Sequence, residues 1–100
     1  MQKPVFTMEH IAAMVKPLAD KYRVKEFYLF GSYARGEADE NSDLDFLVFG
    51  GEKFKRTMIF ALAEDLRETL KKKVDVFEIG EVNPDSDFYK TIMKEKVLVA

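Results

Sequence analysis

The chain has 100 residues, 47% of them apolar, and a formal net charge of -2. This length suits one domain, and the slight acidic excess argues against general nucleic-acid binding, which requires a basic face. The absence of cysteine excludes disulfides and thiolate zinc sites, and no apolar run approaches the roughly 20 residues of a membrane span. The N-terminus also lacks the apolar core of a signal peptide. We therefore expect a cytoplasmic protein with a single domain over residues 1–100.

The first predicted element is an amphipathic helix from Thr7 to about Tyr22. Apolar residues recur along it at helical spacing, and Thr7 is a suitable N-cap. Pro17 is expected to kink this helix or to split it near Lys16, because proline removes a backbone donor and clashes with the preceding turn. A buried strand follows at residues 25–30 (KEFYLF), and the turn GSYARGE, with glycine at both ends of its core, interrupts it.

The rest of the chain alternates strands and helices. A polar loop (EADENS) leads to a strand at residues 43–49, and an apolar stripe at helical spacing then predicts a long helix over residues 52–72. A third strand at residues 73–80, a short helix over about residues 85–95 and a terminal strand (KVLVA) complete the pattern. This alternation predicts an α/β layer architecture in which the long helix returns the chain between two strands.

Two aspartates, Asp43 and Asp45, lie one residue apart in the second predicted strand. The strand period of two places them on one face, with Leu44 and Phe46 on the other. Carboxylates on a mostly buried strand are costly unless they are paired, exposed at a strand end or bound to metal, and the neighbouring loop is itself acidic. Asp75 repeats the pattern in the third strand, so three carboxylates converge if the strands are neighbours. Such oxygen ligands favour Mg²⁺ or Mn²⁺.

The turn after the first predicted strand supplies the other half of this candidate site. If Ser32 begins a short helix there, its hydroxyl and backbone donors face the same strand ends, where a helix N-terminus favours phosphate oxygens. Gly31 lets a phosphate come close. Together these features predict phosphates held at the Gly-Ser turn and bridged by metal to the aspartates, as two-metal phosphoryl or nucleotidyl transfer requires.

The stretch GSYARGEADENSDLD, residues 31–45, resembles the signature of the polymerase-beta-like nucleotidyltransferases, in which Gly-Ser is followed by an Ala-Arg-Gly turn and then Ser-Asp-x-Asp. Within that superfamily the chain is most similar to the minimal nucleotidyltransferase (MNT) domains. The resemblance covers nearly the whole chain, including VDVFE in the third strand and the terminal segment IMKEKVLVA. It implies an α/β (α+β) fold of the polymerase-beta type, with a small mixed sheet and helices packed against it.

The resemblance also implies which carboxylates are catalytic. Asp43 and Asp45 would bind the metal ions. Asp75 would bind the catalytic metal and help to activate an acceptor hydroxyl, whose attack on the α-phosphate releases pyrophosphate. The structural alternative for Asp75 is a salt bridge with one of the lysines at positions 71–73.

Nucleotide binding is carried over in the same way to four residues near the turn. Gly31 and Ser32 would hold the phosphates of ATP, and Ser42 would orient the metal-binding strand. Arg35 would either contact a phosphate or form an ion pair with the acidic loop, and the sequence does not separate these two roles.

Similar MNT proteins are typically encoded beside a small helical HEPN protein as a toxin–antitoxin pair. The resemblance therefore implies transfer of AMP from ATP to a tyrosine of that HEPN protein, which silences it. Two alternatives stay open: a non-catalytic nucleotide-binding antitoxin or complex subunit that acts by occlusion, and an enzyme whose acceptor is a small molecule or RNA. Because 13% of the residues are aromatic, we also expect an exposed apolar patch for a partner or a second copy, and among the aromatics we expect Tyr33, within the turn, to be exposed.

Overall fold

The computed structural model describes residues 5–100. The elements in chain order are α1 (Met8–Lys21), β1 (Glu26–Phe30), β2 (Leu44–Phe49), α2 (Met58–Leu70), β3 (Val74–Glu78), a 3₁₀ turn (Ile79–Glu81), α3 (Asp87–Glu95) and β4 (Val97–Leu98). The strands form one sheet in the order β3-β2-β1-β4. β1 is antiparallel to both β2 and β4, whereas β2 and β3 are parallel and α2 makes the crossover between them. The expected mixed α/β architecture is confirmed.

α1 is one continuous helix, so of the two predicted effects of Pro17, a kink or a split near Lys16, the split does not occur. Pro17 and Ala13, whose carbonyl loses its helical partner, both lie on the exposed side of the helix. Water can therefore reach that carbonyl, and the buried side of the helix keeps its packing. The predicted N-cap is confirmed, because Oγ1 of Thr7 accepts a hydrogen bond of 3.1 Å from the backbone N–H of His10.

α2 begins at Met58, well after the predicted start at Glu52. The intervening residues form turns, and Gly51 has a φ of 73°. Phe54, which contributed to the apparent helical stripe, instead packs beside the end of β2, where a Cβ at Gly50 would clash with the Phe54 ring. The stripe was therefore partly produced by a side chain that reaches the core from a turn. The other strand and helix boundaries lie within two residues of those predicted.

The sheet has two apolar faces of unequal size. One face packs against α1 and α2 around Phe27, Leu29 and Phe46, which are fully buried. The opposite face is covered by α3, over a smaller cluster that includes Leu47 and Ile92. Within residues 5–100, none of the helices combines the length and the apolar character needed to cross a membrane.

Tyr33 is only 5% exposed, so the prediction that it is an exposed aromatic is wrong. The turn that carries it folds inwards and places its ring in the larger core, with Nζ of the buried Lys72 lying 5.8 Å from the ring centroid. The aromatic side chains exposed to solvent are instead Phe60 on α2, at 76%, and Phe88 on α3, at 44%.

Candidate functional site

The three predicted aspartates lie at the start of the neighbouring strands β2 and β3. Asp45 is paired directly with Asp75 in the parallel register, and Asp43 immediately precedes β2. Directly paired residues of adjacent strands point to the same face, so Asp45 and Asp75 share the face that α3 covers. All three aspartates are partly exposed. The two strands thus bring Asp45 and Asp75 side by side at the end of the sheet, with Asp43 close by.

The environment of Asp45 disfavours its ionised form. Burial, followed by the charges of Asp75 and Asp43, raises the pKa of Asp45 from 3.8 to about 6. Arg35 opposes this shift, whereas Glu95 adds to it. A cation placed among these carboxylates would relieve both the lost hydration and the repulsion between like charges.

Within residues 5–100, the structure has no group of three or more histidine, cysteine, aspartate or glutamate side chains arranged to hold a metal ion. Asp43 lies instead 3.9 Å from Nζ of Lys73. The three aspartates nevertheless offer the hard oxygen donors that Mg²⁺ prefers, and Mg²⁺ commonly uses one or two carboxylates and completes its shell with water and substrate phosphates. The directly paired Asp45 and Asp75 fit that requirement.

The salt bridge proposed as the structural role of Asp75 does not form. Among the described residues, no lysine or arginine nitrogen lies within the 4.0 Å of an ion pair with Asp75. The lysines at positions 71–73 go elsewhere: Lys71 ends α2 in a left-handed conformation, Lys72 is buried and Lys73 faces Asp43. Charge pairing therefore does not account for Asp75.

Ser42 shapes the loop that enters β2. Its Oγ accepts a hydrogen bond of 2.8 Å from the backbone N–H of Asp39, and its carbonyl accepts one of 3.3 Å from Nζ of Lys72. Lys72 also donates to the carbonyl of Glu40 at 3.0 Å. This buried cation fixes the loop next to the aspartates, which is compatible with the orienting role expected of Ser42.

The segment of residues 31–37 is a hydrogen-bonded turn, so the short helix expected from Ser32 is absent. The backbone N–H of Arg35 bonds the carbonyl of Gly31 at 3.1 Å, and glycines with positive φ at positions 31 and 36 prevent a longer helix. A Cβ at Gly31 would lie 2.6 Å from Oδ2 of Asp45. Glycine alone therefore allows the turn to approach the carboxylates this closely, and the two halves of the candidate site meet at this point.

Arg35 pairs with two carboxylates. Its Nε lies 3.2 Å from Glu37, and its Nη1 lies 3.3 Å from both carboxylate oxygens of Glu95. These two hydrogen-bonded partners, Glu37 first, raise the pKa of Arg35. The ion pair with the acidic loop is thus formed, and a phosphate contact stays a prediction.

Glu95 was not singled out in the sequence. It ends α3, where its Oε1 accepts a hydrogen bond of 3.1 Å from the backbone N–H of Gly31 in addition to its bonds with Arg35. The available signal was its place in the terminal segment IMKEKVLVA, which resembles the end of the MNT domains. Nothing in the local pattern indicates that this segment reaches the turn.

Comparison with known proteins agrees with this architecture. The family model described as polymerase beta, nucleotidyltransferase matches residues 13–100. The protein adenylyltransferase MntA of Thermococcus cleftensis is 34% identical over 99 residues, which cover 95% of this chain and 98% of that protein.

Two solved structures share the fold at lower identity. A chain of a toxin–antitoxin complex with AMP-PNP has a TM-score of 0.76 and 21% identity, over 89% of this chain and 72% of that one. A chain of the complex between tri-AMPylated Shewanella oneidensis HEPN toxin and MNT antitoxin has a TM-score of 0.72 and 17% identity, over 94% and 72%. The family model and the MntA relative therefore show that the chain belongs to the polymerase beta nucleotidyltransferase family and is a nucleotidyltransferase.

Proposed function

We propose that this chain transfers AMP from ATP, with Mg²⁺, to a tyrosine hydroxyl of a HEPN toxin and thereby acts as its antitoxin. The observation that carries the proposal is the direct pairing of Asp45 with Asp75 beside the close approach of Gly31. The acceptor class is supported by the relatives, one of which is named a protein adenylyltransferase, while another is an MNT antitoxin bound to a tri-AMPylated HEPN toxin.

Asp43, Asp45 and Asp75 are the proposed metal ligands. Mg²⁺ bound there would neutralise phosphate charge and stabilise the attacking and leaving oxygens of the transfer. Mn²⁺ has the same preference for oxygen ligands and is the alternative ion. The raised pKa of Asp45 supports a cation at this place, because the folded protein disfavours the carboxylate charge until a positive charge compensates it.

We assign each remaining site residue one role in the reaction. Gly31 and Ser32 bind the triphosphate, and Arg35 contacts a phosphate next to them. Asp75 accepts the proton of the acceptor hydroxyl, which attacks the α-phosphate and expels pyrophosphate. Because β3 is an edge strand, Asp75 is the outer member of the carboxylate pair, and the acceptor can approach it from that side of the sheet.

A non-catalytic antitoxin that acts by occlusion is the second candidate. The observation in its favour is that Glu95 engages both the backbone N–H of Gly31 and the side chain of Arg35, two groups proposed to bind phosphates. Against it, Asp43, Asp45 and Asp75 lie close together, and the one ion pair among them in the described residues is that of Asp43 with Lys73. Such a group of carboxylates lowers the stability of a protein that does not use them.

The test is a transfer assay with the purified protein, Mg²⁺, α-labelled ATP and a HEPN protein from the same organism. We expect label on a tyrosine of the HEPN protein, lost in Asp45→Asn and retained in the matched control Asp20→Asn, which changes an exposed aspartate of α1. If the variant carrying both Asp43→Asn and Asp45→Asn still neutralises the toxin in full, occlusion replaces catalysis as the mechanism. Label on RNA or on a small molecule would instead reject the HEPN tyrosine as the acceptor.

A further inference from the structure

Glu95 connects the end of α3 to the turn that approaches the aspartates. Its carboxylate accepts hydrogen bonds from the backbone N–H of Gly31 at 3.1 Å and from Nη1 of Arg35 at 3.3 Å. The side chain of Glu95 is only 19% exposed. Hydrogen bonds that involve a charged group are stronger where water is largely excluded, so the partly buried bond to Gly31 is expected to be stronger than the exposed bonds to Arg35.

The two residues that Glu95 contacts are the first and last of one turn. The backbone N–H of Arg35 bonds the carbonyl of Gly31 at 3.1 Å and closes this turn, and a single carboxylate therefore holds both of its ends. The position of a Cβ on Gly31 lies 2.6 Å from Oδ2 of Asp45. Gly31 thus lies between Glu95 and Asp45, and any shift of the turn changes its distance from the aspartates.

Glu95 is itself held in place by the packing of α3. Ile92, three residues earlier and therefore on the same side of the helix, is 2% exposed within the smaller apolar cluster. The buried Ile92, one turn away, anchors α3 on the sheet and thereby fixes the position of Glu95. The carboxylate is thus supported by a rigid element and not by a loop.

We propose that Glu95 is a positioning residue, which holds the Gly31 turn at the distance from Asp45 and Asp75 that nucleotide binding requires. This inference rests on the proposed function and extends it to a residue outside the Gly-Ser and aspartate motifs. Glu95 acts through Gly31 and Arg35, without contact to the reacting atoms.

The sign of its effect distinguishes positioning from a simple charge effect. A carboxylate beside the triphosphate repels it, so the loss of this charge alone would tighten ATP binding. The loss of a brace would loosen the turn and weaken ATP binding. The hydrogen bonds to both ends of the turn favour the second effect.

The experiment compares Glu95→Ala and Glu95→Gln in the full chain, with ATP titrated in the presence of Mg²⁺ and the HEPN acceptor. We expect Glu95→Ala to raise KM for ATP about tenfold with kcat unchanged, which corresponds to the loss of about one charge-assisted hydrogen bond. Glu95→Gln should have a smaller effect, because its amide oxygen still accepts from Gly31. The matched control is Glu64→Ala, which removes an exposed glutamate that pairs with Arg67 on α2 and should leave KM unchanged.

Either an unchanged or a lowered KM in Glu95→Ala would overturn the inference, the latter by identifying Glu95 as a competing anion. If Glu95→Ala does not fold, the circular dichroism spectrum will reveal it, and the KM of a folded Glu95→Gln then decides in the same way. If the wild-type chain transfers no AMP, the proposed function fails separately. Calorimetric titration with ATP and Mg²⁺ then tests positioning directly: weaker binding by the variant supports it, and equal or tighter binding overturns it.

Discussion

Asp45 and Asp65 are both partly exposed aspartates, yet their pKa values shift in opposite directions. Burial and the neighbouring carboxylates, led by Asp75, raise the pKa of Asp45 to about 6. Hydrogen bonds from Lys21 and Tyr22 lower the pKa of Asp65 below its ordinary value. Folding therefore favours the charge on one carboxylate and opposes it on the other.

The difference is the one expected between a carboxylate with a structural role, Asp65, and one proposed to bind a metal ion, Asp45. Asp65 joins α2 to the end of α1, where Nζ of Lys21 lies 2.8 Å from its Oδ2. Its partners are part of the chain, so its ionisation needs nothing further. Asp45 lies beside Asp75 without a comparable partner among the described residues, and a cation bound there, as proposed above, would favour its ionised form. The predictions below test this division.

The largest expected effect is the loss of transfer in Asp75→Asn. Removal of the proposed proton acceptor should lower kcat for AMP transfer by about 10²–10⁴-fold. Asp65→Asn is the matched control, and its kcat should equal that of the wild type. Labelled transfer measured under single-turnover conditions checks both. Equal activity of the two variants would show that the acidic pair has no catalytic role.

Asp45→Asn should raise the stability of the ligand-free protein but reduce the stabilisation that ATP and Mg²⁺ provide. In metal-free buffer at pH 8 the variant should be more stable than the wild type, because it lacks a carboxylate charge that folding opposes. With ATP and Mg²⁺ the wild type should gain up to about 2.7 kcal/mol at about 100 times Kd. The variant should gain far less.

Thermal unfolding of the wild type and of Asp45→Asn, with and without ATP and Mg²⁺, measures these differences in stability. A metal-free variant less stable than the wild type would mean that the Asp45 carboxylate has a structural partner. An equal gain from the ligand in both proteins would place the metal elsewhere.

The pH dependence of stability should also differ between the two aspartates. The contribution of Asp45 is fully present below its unfolded pKa of 3.8 and is lost as the pH rises through about 6. Metal-free wild type should therefore lose stability relative to Asp45→Asn across this window. Urea denaturation of both proteins between pH 4 and 7 tests this, and parallel curves would contradict the raised pKa of Asp45.

The grouping of the carboxylates around Asp45 was predictable from the sequence. The strand period placed Asp43 and Asp45 on one face, and a long helical crossover made parallel pairing with the strand of Asp75 the natural topology. The turn was predictable as a turn, although not its exact conformation, because two glycines with positive φ end it before a helix can form.

The contacts of Asp65 and Glu95 were not predictable from the sequence, because they depend on tertiary packing. Asp65 meets Lys21 across 44 positions of sequence, and Gly31 meets Glu95 across 64. Helical periodicity gives the buried side of each helix but not the partner that a polar residue at its edge will find. The same limit explains the error at Tyr33: a turn residue can face the core when the turn folds inwards.

The smallest expected effect is that of Asp65→Asn on stability. At neutral pH the variant should melt at a slightly lower temperature than the wild type, because it loses the charged hydrogen bonds to Lys21 and Tyr22. The lowered pKa of Asp65 means that this contribution is present above the unfolded pKa and is lost as the pH falls through the folded value. The melting temperatures of the two proteins should therefore converge in acid, whereas a difference that persists there would assign the effect to packing and not to the charge of Asp65.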